Sequence, residues 1–75
     1  MSRLPRISGE DTKNALLRGG FRLSHVRGSH HYFLHPAGGS IVCIPVHGSR
    51  ILPLKTLLSI IRQAKLTVEE FITLL

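Results

Sequence analysis

The apolar positions of this 75-residue chain switch between a helical and an alternating period, and each switch marks an element. Ala15 and Leu16, with Thr12, form the inward side of a helix carried by residues 11–18. Ser8 can cap it, Glu10 and Asp11 fall in its positive first turn, and Gly19-Gly20 ends it, since glycine readily turns left-handed. Three extended stretches separated by glycine follow: Phe21 to Arg27, His30 to His35 and Ser40 to His47. In the third, Val42, Ile44 and Val46 share one face, and Ile41, Cys43, Pro45 and His47 share the other. The first set is the more regular apolar face and is predicted to pack on the helices, leaving His47 exposed. Pro45 has no N–H to donate, which points to an edge position or a strand end. In the second stretch both faces carry an aromatic, so alternation leaves open which one is buried.

Pro53 suits the first position of a second helix. Leu54, Leu57, Leu58 and Ile61 repeat at helical spacing and Ala64 continues the stripe, while Lys55, Ser59 and Arg62 occupy the opposite face. Thr67-Val68-Glu69-Glu70 has capping-box spacing and starts a short last helix, with Val68, Phe71, Ile72 and Leu75 inward. The predicted fold is α+β: α-β-β-β-α with a short extra C-terminal helix, the helices on one face of a three-stranded antiparallel sheet. Residues 1–75 are expected to form a single domain, because so short a chain has no room for a second core.

Charge changes the picture more than composition does. The net charge is +6, and no Asp or Glu occurs from Thr12 to Val68. That stretch holds all five histidines (His25, His30, His31, His35, His47) and eight of the ten Lys and Arg residues. Such a surface favours a polyanion, with nucleic acid the commonest and an acidic protein the other serious candidate. A single cysteine, Cys43, excludes an internal disulfide, and no apolar run reaches signal-peptide or membrane-span length. A cytoplasmic protein with no membrane partner is expected.

Any proton-transfer chemistry in this stretch falls to histidine rather than carboxylate. A zinc site is the obvious rival reading of Cys43-x-x-x-His47 and His31-x-x-x-His35. On strands, however, four residues span about 13 Å, whereas each ligand must lie roughly 2 Å from the metal. The expectation is therefore no metal and no cofactor. Cleavage of RNA suits the inventory better, because RNA brings its own nucleophile, the 2′-hydroxyl. The protein then supplies a group that titrates near neutrality and cations to offset phosphate charge. His30 and His31 point to opposite faces of a regular strand, so they cannot both serve one site. Each residue also has a plainer reading. The Lys55, Ser59, Arg62 stripe is first a solvated helix face, Cys43 a small packing residue, and Tyr32 and Phe33 core or strand-pairing residues.

The segment GSHHYFLHP, followed by IPVH and then LLSIIRQAKLTVEEF, resembles the HicA toxin family, and LPRISGED and GGF extend the likeness over nearly the whole chain. The resemblance implies a fold similar to the double-stranded-RNA-binding domain (dsRBD-like). It further implies a toxin of a type II toxin–antitoxin system that cleaves mRNA without a metal, and a HicB-like acidic antitoxin that masks its active site. The family's catalytic histidine follows a Gly-Ser pair, which corresponds to His30, with His31 the alternative one residue on. Arg27, Ser29, His31 and His47 are expected to contact RNA near the reacting phosphate, and Lys55 and Arg62 further out. A non-catalytic RNA-binding module of the same fold is the alternative function. The chain carries Lys55 and Lys65 where many members have glycine, and Lys65 is expected to be left-handed at a helix end.

Overall fold

The first helix, α1 (Gly9–Arg18), starts on a reciprocal cap in which Asp11 N donates to Ser8 Oγ (3.1 Å) and Ser8 N to Asp11 Oδ2 (3.4 Å). The computed structural model describes residues 3–75. Thr12, Ala15 and Leu16 are buried as the sequence pattern requires. At the other end Phe21 N donates to Leu16 O and Gly20 N to Leu17 O, with Gly20 at φ +93°. This is a Schellman ending with glycine in its left-handed position. It also takes Phe21 out of the expected strand: the residue is buried against the helix end it closes.

The strands are β1 (Arg22–Arg27), β2 (His30–Leu34) and β3 (Val42–Pro45), antiparallel in the order β1-β2-β3. β3 is shorter than the expected residues 40–47 because Pro45 ends the ladder. Past it, Val46 N donates instead to Ser29 O (2.7 Å) in the β1–β2 turn. Val42, Ile44 and Phe33 are fully buried on the helix side, which settles the face of β2 that alternation left open. All six residues of β1 are exposed, so that strand is carried by β2 beyond the cover of the helices.

Helix α2 (Leu54–Gln63) has Pro53 one position earlier than expected, as its N-cap with extended ψ of 146°. Its buried stripe is Leu57, Ile60, Ile61 and Ala64, whereas Leu54 and Leu58 are 55% and 37% exposed. The expected stripe is thus turned by about one position. The turn brings Ile60 inward and lets Gln63 Oε1 accept from Cys43 N (3.3 Å) at the free edge of β3. Helix α3 (Val68–Thr73) carries the expected box: Glu70 N donates to Thr67 Oγ1 (3.0 Å) and Thr67 N to Glu70 Oε1 (2.8 Å). Phe71 is its buried anchor, and Leu74, the C-cap, rather than Leu75 packs on the core. Arg18 Nη1 donates to Leu74 O (2.8 Å), fastening the C-terminus to α1.

Among the described residues no helix is long and apolar enough to cross a membrane.

Candidate functional site

The β1–β2 connection is a two-residue turn, Gly28-Ser29, flanked by the pair Arg27↔His30. Gly28 has φ +60° and Ser29 does not share it, the pattern of a type II′ hairpin turn, whose twist matches that of the strands. Two bonds from Ser29 draw the end of β3 to this turn. Its carbonyl accepts from Val46 N, and its Oγ hydrogen-bonds His47 Nε2 at 3.1 Å. A second turn follows, in which Arg50 N donates to His47 O (3.0 Å) around Gly48 at φ +57°. An open cleft of about 230 Å³ lies there, lined by Pro45, His47, Arg50, Pro53 and Thr56.

Two adjacent histidines diverge at this point. His30 is exposed and shares the bare face of the sheet with its cross-strand partners Arg27 and Pro45. His31 is half-buried between Val26 and Ile44 on the helix side, and its Nδ1 donates to Ser29 O at 3.3 Å. Of the expected site residues, Arg27, Ser29, His30 and His47 therefore come together at the hairpin end, and His31 lies under them. Lys55 and Arg62 are both exposed on α2, away from its buried stripe.

The remaining histidines are separately engaged. His35 meets Phe21 edge-on at 4.9 Å and its Nδ1 accepts from Ala37 N (3.1 Å). His25 stacks on Tyr32 with ring centroids 4.4 Å apart and planes within 8°. Among the described residues, no three or more His, Cys, Asp or Glu side chains are grouped to hold a metal. Three of the four acids are engaged locally on the helices: Asp11 and Glu70 in caps, and Glu10 with Lys13 at 2.7 Å, the one ion pair among the described residues, while Glu69 is exposed in the first turn of α3. Arg22, Arg27, Arg50, Lys55 and Arg62 are thus exposed cations with no carboxylate partner there.

The sequence pattern did not point to His25 or Arg50. The face of His25 depends on a β-bulge between Leu23 and His25, where Ser24 is the extra residue. A hint was present: the apolar residues of β1, Leu23 and Val26, are three apart, which strict alternation does not allow. Arg50 reaches the site through a turn that no periodicity reports.

A family model described as the HicA toxin of bacterial toxin–antitoxin matches residues 9–66 of the 75. The chain belongs to the HicA toxin family. No curated protein matches it. The HicA match runs from the start of α1 to the end of α2 and includes the hairpin, the Ser29–His47 contact and the α2 cations. Helix α3 lies outside it. Membership of this family makes the protein a toxin of a toxin–antitoxin system and implies an antitoxin partner.

Proposed function

We propose that this HicA-family toxin is a metal-independent endoribonuclease that cleaves mRNA and so stops translation, with His30 as its general acid or base. The observation that carries the reading is the hairpin end itself. An exposed imidazole there has Arg27, without a carboxylate partner among the described residues, directly across the ladder, and the Ser29–His47 pair next along the turn. RNA cleavage by its own 2′-hydroxyl forms a 2′-O–P bond and breaks the P–O5′ bond. It leaves a 2′,3′-cyclic phosphate and a 5′-hydroxyl. One proton leaves the 2′-oxygen and one reaches the 5′-oxygen, and His30 handles one of these transfers. Arg27 and His47 offset charge on the phosphate, Ser29 holds His47 in position, and Lys55 and Arg62 engage RNA further along.

His31 acts in this reading from below, through the Ser29 carbonyl it bonds, rather than on the substrate. The partner is a HicB-like acidic antitoxin, because uncompensated cations on the hairpin and on α2 attract a negatively charged protein as well as RNA. The test is toxicity in cells and RNA cleavage in vitro for His30→Ala. Loss of both with the fold retained supports the proposal, whereas RNA binding without cleavage by the wild type would make the protein a binding module.

A further inference from the structure

The bare face of the sheet has a chemistry that the cleavage site does not use. Register and pleat give it Arg22, His25 and Arg27 from β1, His30, Tyr32 and Leu34 from β2, and Cys43 and Pro45 from β3. It holds no acid, and two of its three aromatic rings are already parallel, His25 on Tyr32 at 4.4 Å. The bulge at Ser24 makes this possible. Leu23 pairs with Phe33 on the helix side, so an unbulged strand would turn His25 and Arg27 to that side as well. The extra residue sends both to the bare face, and Ser24 Oγ hydrogen-bonds His25 Nδ1 (3.0 Å), bracing the ring against Tyr32.

We infer that this face is a nucleobase-stacking subsite for single-stranded RNA, with the His25–Tyr32 pair as its platform. The stack has room at both ends. Beyond His25 lies only the outer edge of the sheet, and the β3 neighbour of Tyr32 is a small Cys43. Arg22 and Arg27 flank the rings to take the phosphates on either side of a stacked base. His30 is two residues from Tyr32 on the same face, so a strand lying across the platform runs towards it. Bases paired in a duplex have their faces covered, so the platform selects unpaired RNA. The inference rests on RNA being the substrate, but it concerns binding and stands apart from the role of His30.

The chain has one tyrosine and no tryptophan, so its intrinsic emission reports on Tyr32 alone. The experiment titrates wild type, Tyr32→Phe, Tyr32→Leu and His30→Ala with a short, uncleavable 2′-O-methyl oligonucleotide. The same sequence as a duplex, inorganic polyphosphate and polyglutamate serve as comparison ligands. The single strand should quench Tyr32 emission and bind about tenfold tighter than the duplex, while polyphosphate binds without quenching. Tyr32→Leu should weaken single-strand binding by about tenfold to a hundredfold, the size of one lost base stack, and Tyr32→Phe should retain it. In His30→Ala the single strand should still quench Tyr32 emission, because the platform does not include that ring. If it also still cleaves natural RNA, the role of His30 fails and the platform stands. Unchanged single-strand affinity in a folded Tyr32→Leu variant overturns the platform. So does quenching by polyglutamate but not by the oligonucleotide, which would assign the face to an acidic protein.

Discussion

His30 and His31 share one peptide bond and have opposite surroundings, a difference that belongs to the pleat of β2. Replacing each by alanine should therefore separate two quantities. His30→Ala removes an exposed ring and should change unfolding free energy by no more than about 0.5 kcal/mol. His31→Ala removes packing between Val26 and Ile44 together with the bond to Ser29 O, and should lose about 1 kcal/mol or more in urea unfolding. Equal stabilities would contradict the assignment of faces. Lys65 is the other informative residue. Leu66 N donates to Ile61 O and Lys65 N to Arg62 O, repeating at α2 the Schellman pattern that ends α1. At α1 the left-handed position is Gly20, and at α2 it is Lys65 with φ +62°. Lys65→Gly should raise the urea midpoint, by up to about 1 kcal/mol of stability. This departure was legible in the sequence, because a glycine position at a helix end has one common cause. The face of His25 was not, because the bulge that sets it is a property of two strands together.

At the scale of elements, the caps were readable and the rotations were not. Thr67 announces a helix through the carboxylate three residues on, and Ser8 as a cap followed by two acids in the first turn, each a signal contained in four residues. The rotation of α2 depends on β3 and on Gln63 reaching its edge, and a repeat at positions 54, 57, 58 and 61 fits a helix equally well one residue off. The joint between α1 and the end of β3 was also hidden. Gly9 is buried against the Pro45 carbonyl, so close that a Cβ would overlap this backbone oxygen. Gly9→Ala should destabilise the protein by about 1–3 kcal/mol, since a backbone atom cannot rotate away. It should also displace Val46 and His47 from Ser29, which would show as altered NMR shifts at the hairpin turn. An alanine tolerated without change at either place would contradict this joint.

Over the whole molecule, acids sit at the ends of the chain and cations occupy its middle, a division visible in the sequence as a stretch without Asp or Glu. Three of the four acids are used in caps and in one local ion pair, and Arg22, Arg27, Arg50, Lys55 and Arg62 have no carboxylate partner among the described residues. RNA affinity should fall steeply with salt. Arg27→Ala should flatten the log–log slope by about 0.7 for a single strand, the share of one phosphate contact. A slope unchanged by that substitution would remove Arg27 from the phosphate path. The most direct test of the account is cleavage of natural RNA in the presence of a metal chelator by wild type, His30→Ala and His31→Ala. Wild type should cleave and leave 2′,3′-cyclic phosphate and 5′-hydroxyl ends. His30→Ala should be slower by about 10²- to 10⁴-fold, and His31→Ala should retain activity where it remains folded. Cleavage by folded His30→Ala at the wild-type rate would contradict the central claim.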